Sequence, residues 1–313
     1  MNGSERWESL RFSCFDTVNE IRILHRDRTP LMRSAALCGR SHRLFSRFLP
    51  DSDLYRISHS GGAPVRAAAE TLELLALAEY YRAATGGAFT PAAGTLSELW
   101  GFGGTPAVPP PEQCRRAAQA VRGAVIELSG TTVRCPAGVV LDMGGIAKGY
   151  AADKVARLLA EEGVVCGMID LGGNLLSVGG RPDGGPWRFG VRSPFQRDSL
   201  CAVILCAGGW SAVTSGGCER WFEQDGRRYG HIIDPRTGMP AERGLAAVTV
   251  LSRSSTAADA LATAFFCLGV RESLALLPRF PGTEALFIRT DGSYFWSGRA
   301  EQLEWLGARK GEA

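Results

Sequence analysis

The chain has 313 residues, 45% of them hydrophobic and 21% charged, with a formal net charge of +3 at pH 7. This composition is ordinary for a globular protein, and the charge is too small to indicate a nucleic acid or a membrane surface as partner. Glycine is over-represented at 39 residues, which predicts many tight turns or sites lined by backbone.

The first half of the chain is predicted to be mainly helical. Hydrophobic periodicity and turn residues predict the following elements in chain order: a strand over 12–24, helices over 31–49 and 65–84, a proline-rich loop with one short helix over 88–110, a helix over 111–121, and two short strand-like runs up to residue 143.

The second half alternates between strands and helices. The pattern predicts a helix over 146–163, a strand–glycine turn–strand unit over 164–180, central strands over 187–194 and 201–216, a strand tip and turn over 229–240, a strand over 245–252, a helix over 255–269, and a hairpin with an Asp-Gly turn over 284–298. We expect one domain over 10–305, with possible lobes over 10–135 and 136–305, and flexible termini over 1–9 and 306–313.

The cysteines and the first residues bear on the compartment. Nine cysteines are scattered without a Cys-x-x-Cys pair, which is more typical of reduced thiols in a cytosolic protein than of a disulfide framework. The first thirty residues carry charges throughout and lack the apolar segment of a signal peptide, and no apolar run is long enough to span a membrane. We therefore expect a cytoplasmic protein.

Residues 141–150 read LDMGGIAKGY and place Asp142 and Lys148 around a glycine pair that precedes a predicted helix. One interpretation is a close strand-to-helix turn, where glycine is needed for steric reasons. The other is a polar ligand that approaches the free backbone groups at the start of the helix. The segment is neither a P-loop nor a GxGxxG dinucleotide fingerprint.

The helix STAADALATAFFCLG also has two interpretations. Thr256 followed three residues later by Asp259 fits a helix-capping pair. Asp259 and Thr263 are four residues apart and so share one helical face, where a carboxylate and a hydroxyl suit a hard cation such as Mg²⁺.

His231, one of four histidines, precedes the turn sequence Asp-Pro-Arg-Thr-Gly. This histidine is either a bystander of a structural turn or a functional residue. The remaining histidines, including His42, lie in polar contexts and are interpreted as surface residues, and Asn174 after a glycine pair is interpreted as a turn residue.

Taken in order, these segments resemble the ApbE family, the FAD:protein FMN transferases. The resemblance rests on DMGGIAKG at 142–149, GGN at 172–174, TSGGCER at 214–220, HIIDPRTG at 231–238 and DALAT at 259–263. It extends upstream to FDTVNEI, SRFLPDSDLYRI and TGGAFTPAAGTLSELWGFG, and so covers roughly residues 12 to 300.

The resemblance implies an α+β fold with two lobes, mixed β-sheets flanked by helices, and FAD between the lobes. It implies Mg²⁺-dependent transfer of FMN from FAD to a threonine or serine of an acceptor flavoprotein, within a motif of Asp, a small residue, Ser or Thr, and Thr. AMP is the leaving group. Two alternatives stay open: a Mg²⁺-dependent FAD pyrophosphatase that uses water, and a non-catalytic FAD-binding protein.

The resemblance also assigns roles to residues. It implies that Mg²⁺ is held by Asp259, Thr263 and the main-chain carbonyl of Gly145, and that His231 assists the transfer and contacts FAD. The remaining residues that it places against FAD are Asp142, Lys148, Ala88, Phe89, Thr90 and Phe48. Lys148 has a second interpretation as a structural partner of Asp142.

The chain departs from the family pattern at three places. Thr90 stands where the family usually has an acid, Cys218 where it has an aromatic, and Phe15-Asp16-Thr17 where it has Met-Gly-Thr. We expect these changes to affect affinity more than chemistry.

Overall fold

The computed structural model describes residues 5–196, 198–217 and 220–307. Its helices are α1 (Thr29–Phe45), α2 (Asp53–Ser58), α3 (Ala69–Ala84), α4 (Gly94–Leu99), α5 (Pro111–Gly123), α6 (Ala147–Glu161), α7 (Ser255–Leu268) and α8 (Val270–Leu276), with 3-10 turns at Pro91–Ala93, Leu277–Arg279 and Ala300–Gln302. None of the helices in these ranges is both long and apolar enough to span a bilayer.

The strands are β1 (Arg6–Cys14), β2 (Thr17–His25), β3 (Val65–Arg66), β4 (Glu127–Ser129), β5 (Thr132–Arg134), β6 (Gly167–Leu171), β7 (Asn174–Val178), β8 (Trp187–Arg192), β9 (Leu200–Cys206), β10 (Ser211–Gly216), β11 (Trp221–Gln224), β12 (Arg227–Gly230), β13 (Ile233–Asp234), β14 (Met239–Pro240), β15 (Leu245–Ser252), β16 (Glu284–Arg289), β17 (Tyr294–Trp296) and β18 (Leu303–Trp305).

An eight-stranded sheet in the order β1-β2-β6-β7-β10-β15-β16-β17 forms the centre of the fold. One apolar cluster joins α1 and α6 to β2, β6 and β7. Another joins the opposite face of the sheet to the three-stranded sheet β18-β9-β8. Because β15 is covered on both faces, all eight of its residues are buried.

The α+β class is confirmed. The paired strands of the described chain all run antiparallel, whereas mixed sheets were expected. The pair β15–β16 illustrates the reason: α7 and α8 together carry the chain away and back, so β16 enters at the end where β15 finished.

The predicted opening strand is a hairpin. Strands β1 and β2 pair from Arg6–His25 to Cys14–Thr17, and the turn between them is Phe15-Asp16, with φ of 54° and 55°. The sequence prediction was wrong here because this left-handed turn carries no glycine or asparagine, the usual signal. Residues 6–9, expected in a flexible terminus, are part of β1.

The boundary expected between lobes at residue 135 does not interrupt the central sheet, because β2 pairs with β6 across it. At the other end of the chain, the N–H groups of Leu306 and Gly307 both donate to Cys201 O. The remaining residues of the expected flexible termini, 1–4 and 308–313, lie outside the described residues.

The start of α7 is fixed by a carboxylate from α6. Asp153 accepts hydrogen bonds from the N–H groups of Ser255 and Thr256 at 2.8 and 2.9 Å and from the hydroxyls of Ser254 and Thr256 at 3.0 and 2.6 Å. Ser254 is the N-cap residue and accepts from the N–H of Ala257. This cap ties α7 to α6 through groups that the helix itself leaves unpaired.

We predict that Asp153→Ala lowers the free energy of unfolding by about 1–3 kcal/mol, because four donors at the start of α7 lose their acceptor. Urea denaturation followed by circular dichroism measures this change. Asp183→Ala, at an exposed turn where Asp183 contacts Arg181, is the control and should leave the midpoint unchanged. Equal midpoints for the two variants would refute the capping role of Asp153.

Candidate active site

The residues predicted to bind FAD, to bind metal or to assist catalysis all line one cleft with a volume of about 310 Å³. They reach it from the end of α1, the loop before Pro91, the segment leading into α6, the approach to β13, and α7. The set is Phe48, Ala88, Phe89, Thr90, Asp142, Gly145, Lys148, His231, Asp259 and Thr263.

The carboxylate of Asp259 lies between α6 and α7. Asp259 is 3% exposed, and its Oδ2 accepts a hydrogen bond of 2.9 Å from the N–H of Gly149, in the first turn of α6. A Cβ at Gly149 would lie 2.3 Å from Ser255 O and 2.8 Å from the Cβ of Asp259, so only glycine permits this approach. Burial raises the pKa of Asp259, while the charge of Lys148 and the Gly149 N–H act in the opposite direction.

Thr263 and Gly145 lie beside this carboxylate. The Thr263 hydroxyl shares a hydrogen bond of 3.3 Å with the Ser215 hydroxyl, and a Cβ at Gly145 would lie only 2.9 Å from Thr263 Oγ1. Glycine at position 145 therefore keeps space open next to the Thr263 hydroxyl. Among the described residues, no group of three or more His, Cys, Asp or Glu side chains is placed to hold a metal ion.

The capping interpretation of Thr256 and Asp259 is wrong. Ser254 and Asp153 cap α7, and the Asp259 side chain is engaged with α6 instead of with its own helix. Asp259 is therefore available for the alternative that the sequence left open, a metal site shared with Thr263.

The ion-pair partner of Asp142 is Arg47, at 3.1 Å, and not Lys148. Lys148 donates to Gly144 O at 3.2 Å, in the first turn of α6. Asp142 also accepts from the N–H of Gly144 at 2.7 Å, which closes the glycine turn. The interpretation of Lys148 as the structural partner of Asp142 is therefore wrong.

Arg47 was missed by sequence reasoning. Its side chain is only 10% exposed and links three walls of the cleft: it pairs with Asp142, donates to Phe102 O at 2.9 Å, and lies 4.3 Å from the ring of Phe48. Its position in SRFLP, directly before the aromatic residue already singled out, was the available signal.

The loop implied to contact the adenosine side is tightly packed. Ala88 and Phe89 are buried, and the Phe89 ring lies against Gly145, where a Cβ would be 3.4 Å from Cε2. The hydroxyl of Thr90 accepts from the N–H of Ala92 at 3.2 Å. Thr90 therefore stabilises the following 3-10 turn. Phe48, by contrast, is 55% exposed at the rim of the cleft.

His231 is held by its neighbours in a neutral state. Its backbone N–H donates to Arg220 O at 3.1 Å, and its ring Nδ1 lies 3.1 Å from the same oxygen. Because a carbonyl can only accept, Nδ1 carries the proton and Nε2 is left as the acceptor. Burial lowers the pKa of His231 to about 4, the charges of Arg220 and Lys148 act in the same direction, and that of Asp142 opposes them.

Two other residues of the cleft, His42 and Asn174, were misjudged from the sequence. His42, interpreted as a surface residue, accepts from the N–H of Phe15 at 3.2 Å, and both line the cleft. Asn174, interpreted as a turn residue, is 1% exposed, and its Oδ1 accepts from the Ser255 hydroxyl at 2.7 Å. These contacts join distant elements and left no local pattern. Cys218, noted as a departure, lies outside the described residues.

Known proteins resemble this chain along most of its length. The model of the ApbE family matches residues 15–287. A FAD:protein FMN transferase of Treponema pallidum is 39% identical over 251 residues, which cover 75% of this chain and 69% of that relative. A protein of the same name from Klebsiella pneumoniae is 35% identical over 266 residues, covering 81% of this chain and 82% of the relative.

Solved structures show the same fold. The ApbE protein of Thermotoga maritima superposes with a TM-score of 0.85 at 32% identity, covering 93% of this chain and 97% of that one. The flavinyl transferase ApbE of Pseudomonas stutzeri superposes with a TM-score of 0.81 at 30% identity, covering 93% of each chain. The chain described here belongs to the ApbE family.

Proposed function

We propose that the protein transfers FMN from FAD to a threonine or serine of an acceptor flavoprotein and releases AMP. One observation carries this proposal: the buried carboxylate of Asp259, the hydroxyl of Thr263, the backbone of Gly145 and a neutral His231 line the same cleft. Membership of the ApbE family and relatives that are FAD:protein FMN transferases support it.

In the proposed reaction, the acceptor hydroxyl attacks the flavin-side phosphorus of FAD. A new P–O bond forms to the acceptor, the bond between that phosphorus and the bridging oxygen breaks, and AMP leaves with the bonding electrons. Nε2 of His231 takes the hydroxyl proton. The neutral state of His231 suits this task at pH 7, although a base with a pKa of about 4 is weaker than an ordinary imidazole.

Asp259, Thr263 and the Gly145 carbonyl would hold Mg²⁺. When bound there, the metal would neutralise negative charge on the diphosphate oxygens. The chain's own contribution is a buried carboxylate with a raised pKa, a hydroxyl one helical turn away, and space kept open by glycine. Lys148 supplies a further positive charge at the same wall.

FAD would occupy the cleft with its adenosine near Ala88, Phe89 and Thr90, and the part of FAD at the rim of the cleft would lie near Phe48. Arg47 contacts the Phe48 ring and holds it at the rim, where an aromatic face can stack on a planar ring. We place the reaction in the cytoplasm, which is supported by the cysteines: the eight that the structure describes are free and buried.

The transfer activity can be tested directly. Incubating the protein with FAD, Mg²⁺ and a peptide containing Asp-Ala-Thr-Thr should increase the peptide mass by one FMN, measured by mass spectrometry, and release one AMP per peptide. FMN and AMP without labelled peptide would indicate the hydrolase instead, and unchanged FAD would indicate a carrier.

Asp259→Asn should lower Mg²⁺-dependent turnover by more than about a hundredfold, because a neutral amide replaces the proposed charged ligand. Calorimetric titration of Mg²⁺ in the presence of ADP, which carries a diphosphate, should show the corresponding loss of metal binding. Asp291→Asn, in the exposed turn between β16 and β17, is the control. Wild-type Mg²⁺ affinity in the Asp259 variant would remove Asp259 from the site.

His231→Ala should slow FMN transfer by about a hundredfold or more, the usual effect of losing a general base. The dissociation constant of FAD, measured by flavin fluorescence, should change much less. A collapse of FAD affinity with a small effect on turnover would make His231 a binding residue.

The pH dependence supplies an independent check of His231. Because its pKa is lowered to about 4, the ring stays neutral as the pH falls from 7 and gains its charge only near pH 4. The NMR signal of its Cε1–H, assigned by its loss in His231→Ala, should titrate with that midpoint in the free protein. A midpoint at or above 6.5 would contradict the burial argument.

A further inference from the structure

The hairpin formed by β11 and β12 leads directly into the cleft at both ends. Arg220 precedes β11, His231 follows β12, and both line the cleft. The two hydrogen-bonding contacts of His231 with Arg220 O continue the pairing beyond Trp221–Gly230. The base of the hairpin therefore lies at the proposed catalytic base.

One face of this hairpin is fixed to the body of the protein. Phe222 and Tyr229 stack at 5.2 Å between ring centroids, and both approach Trp100, at 6.4 and 5.6 Å. The N–H of Val108 donates to Gln224 Oε1 at 3.0 Å. Because side chains alternate along a strand, the residues between these point to the other face.

The other face carries Trp221, Glu223 and Arg228. Trp221 is 42% exposed, and the Arg228 guanidinium lies 3.9 Å from the centroid of its ring. Trp221 pairs with Gly230, the residue directly before His231. An exposed tryptophan with a stacked arginine thus stands one residue away from the group that would accept the proton of the acceptor.

We propose that the face made by Trp221 and Arg228 is the docking surface for the acceptor protein, and that it binds an extended segment with a carboxylate close to the reacting hydroxyl. This inference rests on the proposed function, since FAD alone has no need of a surface outside the cleft. Tryptophan and arginine are the residues most enriched among those that dominate protein–protein binding energies. Glu223 lies opposite Arg228 in the hairpin. Arg228 and the exposed Arg220 at the base of the hairpin outnumber this carboxylate, so the surface keeps a net positive charge that complements an acidic segment.

A second tryptophan–arginine pair provides a matched control. Trp7 is 47% exposed and Arg22 lies 5.8 Å from its ring on the neighbouring strand. Strand β1 separates Trp7 from the cleft-lining turn at Phe15 by eight residues, or roughly 25 Å at the rise of an extended chain. The same chemistry is therefore present far from the cleft.

The test uses a 16-residue fluorescent peptide that contains Asp-Ala-Thr-Thr, with the full chain, FAD and Mg²⁺. Trp221→Ala and Arg228→Glu should each lower kcat/KM for the peptide at least tenfold and weaken its binding, measured by anisotropy, by a similar factor. The dissociation constant of FAD and the slow release of FMN to water should stay at wild-type values. Trp7→Ala and Arg22→Glu should behave as wild type throughout.

A charge exchange separates docking from a structural effect. Replacing the peptide aspartate by lysine should impair binding to wild type and restore binding to Arg228→Glu. The inference is overturned if the Trp221 and Arg228 variants bind the peptide like wild type, or if they lose FAD affinity to the same extent. Wild-type protein that binds the peptide through this face without labelling it would refute the proposed transfer but support the docking surface.

Discussion

The close contact between α6 and α7 is the constraint on which the candidate site depends. Gly149 has no side chain, so the backbone of α6 can reach Ser255 and Asp259. The N–H of Gly149 then meets the Asp259 carboxylate, and Asp153 of the same helix binds the start of α7. Asp153 of α6 thus holds the start of α7, and Asp259 of α7 accepts from α6 and also lines the cleft.

This packing gives Asp259 unusual electrostatics. A carboxylate that is 3% exposed is costly to charge, and its raised pKa reports that cost. A divalent cation bound there, as we propose, would offset this cost with its positive charge. The same buried environment would strengthen the interaction of a bound phosphate with the proposed metal and with Lys148.

Other charged groups of the cleft are balanced by their neighbours. Asp142 would repel a diphosphate, but Arg47 neutralises it at 3.1 Å. Burial, together with the charges of Arg220 and Lys148, lowers the pKa of His231 to about 4, so its ring is neutral at pH 7. The hairpin that begins at Arg220 and ends at His231 leaves its outer face exposed. This face is accessible to a substrate as large as a protein.

Local patterns in the sequence determined the helices around the site, the common helical face of Asp259 and Thr263, and the family. Helix periodicity and residue spacing depend only on neighbours along the chain, so α6 and α7 could be predicted closely. Only the tertiary structure decided the Phe15-Asp16 turn, the pairing of Arg47 with Asp142, the cap from Asp153 and the lowered pKa of His231. Each of these depends on burial or on contacts between residues far apart in sequence, or on a turn whose residues lack the usual signal, and no local pattern encodes them.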